Sequence, residues 1–300
     1  MTEDKTFEIR RNPLYVTVPE GKLSTPPSMT EFKNIYSFDP ELAIENCVEW
    51  IRDWYNKVAG ENSNKPIIIG MSGGKDSTIC AALLVKALGA ERVIGVSLPE
   101  HYTNKLALEI CSHLGIRSIE ISIGGTVNNF KGSISYHVNP TQNTETNIPP
   151  RVRMTYLYAI AQSLSGYVVN TCNLSEDYIG YSTIFGDLAG AFSPLAKLTV
   201  TELRMMGHAL GLPPIWVNKT PSDDLPNSCP DEAKFGFSYE ELDRYIRTGS
   251  EPKGFDGKCV KDVIEEMHSK NKFKLDIVRI PAYDPETDAK LKNLTICDIK

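Results

Sequence analysis

The stretch Ile67-Ile68-Ile69-Gly70-Met71-Ser72-Gly73-Gly74-Lys75-Asp76-Ser77-Thr78 decides how the rest of the chain is read. Three β-branched apolar residues after Pro66 predict a short buried strand. A turn of glycine and serine follows. Then Ile79-Cys80-Ala81-Ala82-Leu83-Leu84-Val85-Lys86-Ala87-Leu88 predicts a mostly buried helix that stops at Gly89. Strand, tight polar turn and helix N-terminus, in that order, make an anion site. Backbone N–H groups point outward there, and the helix dipole favours negative charge.

Two commoner phosphate loops are excluded. A Walker A loop needs a glycine five residues before its Gly-Lys pair and Ser or Thr after the lysine; Ile69 and Asp76 stand there instead. A dinucleotide fingerprint needs G-x-G-x-x-G, which Gly70, Gly73 and Gly74 do not fit. What remains is S-G-G-x-D-S. Ser72 and Ser77 offer hydroxyls to phosphate oxygens, and Gly73 and Gly74 let the backbone come close. Asp76 would repel phosphate unless a cation lay between them, which points to Mg²⁺ bridging Asp76 and a triphosphate. The alternative, an ordinary Gly/Ser turn capped by Asp76 or Ser77, needs strand, loop and helix to fall in order by coincidence. The string resembles the pyrophosphate-binding loop of the ATP pyrophosphatases, the PP-loop family. That resemblance implies cleavage of ATP to AMP and pyrophosphate, with an oxygen activated as its adenylate and Gly70, Met71, Ser72, Gly73, Gly74, Lys75, Asp76 and Ser77 around the ATP.

Composition narrows the class. The 300 residues carry a formal net charge of −6, so there is no basic footprint for nucleic acid. No apolar run approaches the ~20 residues of a membrane span, and Met1-Thr2-Glu3-Asp4-Lys5 lacks an apolar signal core. The expectation is a cytoplasmic protein without membrane or nucleic-acid partners. Seven scattered cysteines without C-x-x-C spacing argue against a zinc cluster or a disulfide framework.

The flanking chain predicts a repeating pattern. Residues 1–37, rich in proline, read as an extended arm. Asp39-Pro40-Glu41 opens a helix that runs to Gly60. After the phosphate-loop unit come a strand at Val93–Ser97, a helix over Thr103–Leu114 and a strand at Ser118–Ile121. The polar segment Gly132–Asn147 reads as a mobile loop, with a helix opening at Ile148-Pro149-Pro150 and a fourth strand over Tyr167–Asn170. Gly180–Leu198 has no helical period. Thr199-Val200-Thr201-Glu202 is a capping box, Lys219–Pro230 a second mobile loop, Ser238-Tyr239-Glu240-Glu241 another helix start, and Gly257–Lys270 a helix. Strands alternating with helices predict an α/β fold: a doubly wound, mostly parallel sheet with helices on both faces, and ligands beyond the carboxyl ends of the strands. The expected organisation is an arm (1–37), one α/β domain (38–283) and a tail (284–300).

The later motifs carry a second resemblance. Arg151-Val152-Arg153-Met154, Thr171 with Glu176, Gly180-Tyr181 with Gly186-Asp187, Ser193-Pro194-Leu195, Pro221-Ser222-Asp223-Asp224-Leu225 and Gly236–Asp243 together are similar to the ammonia-dependent NAD synthetases, in order and spacing, over roughly residues 38–283. The resemblance implies adenylation of the nicotinate carboxylate of deamido-NAD by ATP, loss of pyrophosphate, and attack by ammonia to give NAD and AMP. It implies Asp76 and Glu176 as Mg²⁺ ligands, Thr171 and Ser222 at ATP, and Arg151 at deamido-NAD. It places Asp187 to take a proton from the nitrogen nucleophile, and it suggests a homodimer. Free ammonia is expected because about 60 residues precede the loop, too few for a glutaminase domain.

Three positions depart from the family. Ile184 stands where many members carry a dinucleotide-binding lysine, Ala191 where they carry an aspartate, and Val200 where a lysine touches ATP phosphates. Lys197 or the C-terminal lysines would restore the charge; the family's terminal His-Lys pair is not plainly present, and Lys272 and Lys274 are the basic residues that stand in its region. Two rivals remain: another PP-loop enzyme, such as an adenylating amidotransferase or a tRNA-modifying enzyme, and a non-catalytic nucleotide-binding relative. The acidic charge and scattered cysteines disfavour a tRNA enzyme. The paired carboxylates disfavour a pure binder.

Overall fold

The computed structural model describes residues 38–219, 231–277 and 283. The first helix, α1 (Pro40–Ala59), starts as its sequence dictates. The Asp39 side chain accepts from the Leu42 amide, Pro40 fills a position that needs no N–H, and Glu41 lies at the positive end of the helix.

The sheet explains the chain order. β1 (Ile67–Gly70) holds three isoleucines with no exposed surface, as a strand covered on both faces must. It pairs in parallel with β2 (Val93–Ser97) through Ile67↔Val93 and with β4 (Tyr167–Val168) through Ile67↔Tyr167. β3 (Arg117–Glu120) lies outside β2, giving the order β3-β2-β1-β4. Helices α2 (Lys75–Leu88) and α3 (Lys105–His113) make the two crossovers that carry the sheet outward from β1. The chain then returns to the other side of β1 as β4. The direction of winding therefore reverses between β1 and β4, and a crevice opens above their carboxyl ends.

The expected fourth strand is shorter than its apolar run. Beyond Val168 the ladder continues only as a parallel bridge between Val169 and Phe192. The Asn170 amide donates to the Phe192 carbonyl at 2.9 Å, and the Ala191 amide to the Val168 carbonyl at 2.7 Å. The irregular segment 180–198 thus runs beside β4. Gly190 permits the approach, since a Cβ there would lie 2.7 Å from the Asn170 nitrogen.

Helices cover both faces. On one lie α1, α2, α7 (Val200–Ala209) and α8 (Pro214–Val217), packed through Trp50, Trp54 and Phe192. The rings of Trp54 and Phe192 stack with centroids 4.0 Å apart. On the other face lie α4 (Gly124–Ser135) and α5 (Gln142–Ser163), against Ile68, Ile94 and Val96. A third apolar cluster joins α6 (Leu174–Ile179), α10 (Tyr239–Thr248) and α11 (Lys261–Ile277).

Gly132–Asn147 is mostly helical: α4 extends to Ser135, and α5 begins at Gln142, ahead of the two prolines. Thr141 caps α5 by accepting from the Thr144 amide at 3.2 Å. Thr146 and Asn147 bond back to the carbonyls of Gln142 and Asn143. Polar side chains that usually favour turns are here used within a helix. Helix α11 likewise starts and ends later than the expected 257–270. The arm 1–37, the segment 220–230 and the tail from 284 lie outside the described residues. Among the described residues no helix is long and apolar enough to cross a membrane. The described cysteines are all free, with Cys47, Cys80, Cys111 and Cys172 buried.

Candidate active site

The loop between β1 and α2 forms one wall of the crevice. The Met71 amide donates to the Val96 carbonyl at 2.8 Å, which extends the ladder one residue into the loop, and the Met71 side chain is core. Gly73 turns the chain with φ of +75°, a conformation that favours glycine. The Ser72 hydroxyl accepts from the Gly74 amide at 3.1 Å and lies 3.2 Å from the Ser77 hydroxyl. Ser77 and Thr78 both donate to the Gly74 carbonyl. The loop is tied from outside by Asn104, whose amide group donates to the Ser72 carbonyl at 2.8 Å while its oxygen caps α3. Sequence reading missed Asn104; its only signal was an N-cap residue.

Charge collects where α2 meets α6. Lys75 is almost fully buried and donates to Asp76 Oδ2 at 2.8 Å. Asp76 Oδ1 is buried without a hydrogen-bond partner. Glu176 stands in the first turn of α6, whose cap Asn173 accepts from the Glu176 amide at 3.0 Å. Its carboxyl is held well above the ordinary carboxylate range, first by burial and then by the charge of Asp76, with Lys75 opposing. The sequence pair Asp76 and Glu176 is therefore brought together, and Thr171 lies half-buried after β4. Among the described residues no group of three or more His, Cys, Asp or Glu forms a cage for a metal. Two carboxylates, one with a partnerless oxygen, fit a cation that takes its remaining ligands from phosphate and water.

The α6 position is fixed from below. Asp243, fully buried on α10, accepts from the Ser175 hydroxyl at 2.5 Å and from the Thr201 amide at 2.8 Å. Ser175 in turn accepts from the Val200 amide at 2.9 Å. Burial pushes the Asp243 carboxyl up to about 7.

The opposite wall is the segment 180–190. Asp187 accepts from the Thr183 amide at 2.7 Å. Asp187 keeps exposed surface, but protein crowds its carboxylate, and that desolvation raises its pKa. Asp177, more deeply buried, is pushed up to about 7 by burial and then by Asp187. Arg151 is exposed and donates through Nε to the Ile184 carbonyl at 3.1 Å. Lys274 bridges from α11 to the carbonyls of Gly180 at 2.6 Å and Ser182 at 3.0 Å. The neighbouring Lys272 is exposed, and Ser222 lies outside the described residues. Of the three departures, Val200 is core, packed with Ile179, Phe237 and Tyr239, and Ala191 packs at the edge of the core. Lys197 is exposed, and its carbonyl accepts from Arg247.

A phosphate loop of this form, at the switch point of a parallel sheet, places the chain among PP-loop α/β proteins. Residues 43–278 match the NAD synthase family, and the chain belongs to that family. It is 37% identical over 212 residues to the NH(3)-dependent NAD(+) synthetase of Thermococcus sibiricus, covering 70% of this chain and 81% of that one. Among solved structures it resembles the NMN synthetase of Francisella tularensis, with a TM-score of 0.70, 29% identity and coverage of 79% of this chain and 96% of the other. It also resembles the NH3-dependent NAD synthetase of Campylobacter jejuni in complex with nitrate, with a TM-score of 0.62, 25% identity and the same coverage of 79% and 96%.

Proposed function

We propose that the chain amidates deamido-NAD to NAD with free ammonia, using ATP and Mg²⁺ and releasing AMP and pyrophosphate. The observation that carries this reading is the partnerless Asp76 Oδ1 beside Glu176 at the mouth of the phosphate loop. A carboxylate of that kind in a phosphate cradle is useful only with a cation between it and the nucleotide.

The reaction gives each of these residues a task. The substrate carboxylate attacks the α-phosphorus of ATP, the α–β anhydride bond breaks, and pyrophosphate leaves. Ammonia then attacks the acyl carbon, the bond from that carbon to the adenylate oxygen breaks, and AMP departs with the electron pair. The phosphate-loop amides, Ser72 and Ser77 bind the β- and γ-phosphates against the positive end of α2. Asp76 and Glu176 would hold Mg²⁺, whose charge would offset that of the departing pyrophosphate. Thr171 and Ser222 orient the nucleotide. Arg151, Lys272 and Lys274 hold the phosphates of deamido-NAD, Lys274 by rotating from its two carbonyls or through the loop it fixes. Asp187 accepts the proton that ammonia loses on forming the amide; its crowded setting makes it a better base than an ordinary aspartate. The active form is a cytoplasmic homodimer of a single 38–283 domain.

A second reading has a specific observation behind it. The solved NMN synthetase resembles this chain with a TM-score of 0.70, against 0.62 for the C. jejuni NAD synthetase. The same chemistry on nicotinate mononucleotide would give NMN. One assay separates the two. Purified protein, ATP, Mg²⁺ and ammonium are incubated with deamido-NAD or with nicotinate mononucleotide, and AMP, pyrophosphate and amide product are measured. NAD formed at the higher kcat/KM supports the first reading, and NMN at the higher kcat/KM the second. Pyrophosphate with neither acid would defeat both.

A further inference from the structure

Lys75 occupies an unexpected place for a cation. It is the first residue of α2, where the helix dipole is positive and an ammonium is disfavoured. Its side chain is only 2% exposed. Burying an ammonium there is costly unless anions offset it. Asp76 supplies one through Oδ2 at 2.8 Å, and the Tyr239 ring centroid lies 5.9 Å from the ammonium. Glu176 lies within electrostatic reach of both Lys75 and Asp76, and the ammonium opposes the rise that burial and Asp76 impose on its carboxyl. The pair read above as metal ligands therefore already has a positive partner built into the loop.

We propose that Lys75 is a resident counter-ion of the Asp76–Glu176 pair, displaced when a divalent cation enters together with a nucleoside triphosphate. This inference rests on the reading of Asp76 and Glu176 as the metal pair. A cation arriving alone meets an ammonium already bonded to the Asp76 carboxylate, and the two positive charges repel at short range. It also gains only two protein carboxylates. A triphosphate changes both terms. It offers the displaced ammonium new oxygen partners, and it supplies the further oxygen ligands that Mg²⁺ favours. Metal and nucleotide then bind with positive coupling, which must be reciprocal. A built-in cation of this kind also keeps two carboxylates from repelling each other in the unliganded protein.

The test uses the whole protein and Mn²⁺ as the probe. Mn²⁺ affinity without nucleotide is measured by electron paramagnetic resonance. The affinity for α,β-methylene ATP is measured by calorimetry with and without Mn²⁺. In Lys75→Met the affinity for Mn²⁺ alone should rise about tenfold, and the enhancement of nucleotide binding by Mn²⁺ should shrink about tenfold. Lys75→Arg keeps the charge and should behave as wild type, which a purely structural role for the lysine amine would not predict. Lys75→Gln serves if Lys75→Met does not fold. Asp76→Asn separates the two levels. If it abolishes Mn²⁺ binding while Lys75→Met and Lys75→Gln leave Mn²⁺ affinity unchanged or weaker, the metal pair stands and the counter-ion role is overturned. If Asp76→Asn leaves Mn²⁺ binding intact, the metal pair fails and the proposal falls with it.

Discussion

The two walls of the crevice are built by opposite means. The phosphate-loop wall is held chiefly by its own residues: Gly74 is contacted by Ser72, Ser77 and Thr78, all within four positions of it, and Asn104 adds a tie from outside. The 180–190 wall has its own Thr183–Asp187 bond but takes its side-chain supports from a distance, from Arg151 on α5 and from Lys274 on α11, which reaches back across more than ninety residues to Gly180 and Ser182. A wall specified locally is rigid before any ligand arrives. A wall specified by remote side chains depends on those helices being in place, and it is the one that can adjust to different acids. Under the proposed function, that contrast would put phosphate chemistry on the first wall and substrate discrimination on the second.

The sharpest way to break the contrast is to damage each wall once. Asp76→Asn should lower turnover by about 10³-fold or more, because the charge on departing pyrophosphate loses its counter-charge. Asp187→Asn should lower it by about 10²-fold or more, the usual worth of a positioned base. Steady-state pyrophosphate release measures both. Equal small losses would mean that neither carboxylate is used.

Lys274→Met tests the remote support. The carbonyls of Gly180 and Ser182 would lose their donor, and KM for the nucleotide acid should rise about tenfold, the effect of roughly one charge-assisted bond. The KM for ATP should stay within about twofold. A selective rise in the KM for ATP would reverse the assignment of the two walls.

Stability should also depend on pH through two buried carboxyls. Asp243 and Asp177 have folded-state values of about 7 against an ordinary 3.8. Between those values the folded form holds protons that the unfolded chain has released, so stability falls as pH rises from about 4 to about 7. Each carboxyl contributes at most about 4 kcal/mol to that fall. Thermal melts at pH 5 and pH 8 should show a lower midpoint at pH 8, and Asp243→Asn should flatten part of that slope. The smallest effect belongs to Asn104→Ala. Loss of its cap costs about 1 kcal/mol in a urea melt, and loosening of the Ser72 carbonyl should raise the KM for ATP severalfold.

The same contrast explains what was legible in the sequence. Ile67–Ser77, the Asp39-Pro40 helix start and the Thr199–Glu202 capping box are local patterns, and each reads directly as the structure that forms. The pairing of Asp76 with Glu176 was legible because both follow strand ends at one sheet edge. The helix start at Gln142, within the expected loop 132–147, was not, because Thr141, Thr146 and Asn147 favour turns until their side chains bond at and within the helix. Asn104 and Asp243 were hidden for a different reason. Their partners lie 32 and 68 residues away, at Ser72 and Ser175, and no local pattern marks such a pair. The burial of Val200 among Ile179, Phe237 and Tyr239 likewise depends on three separate segments meeting.

The most direct measurement follows an oxygen atom. Deamido-NAD labelled with ¹⁸O in its nicotinate carboxylate is turned over with ATP, Mg²⁺ and ammonium, and the phosphorus products are analysed by mass spectrometry. Attack of that carboxylate on the α-phosphorus predicts one ¹⁸O in the phosphate of AMP and none in pyrophosphate. Label in inorganic phosphate with release of ADP, or amide formed with no label in AMP, would contradict adenylation at this site.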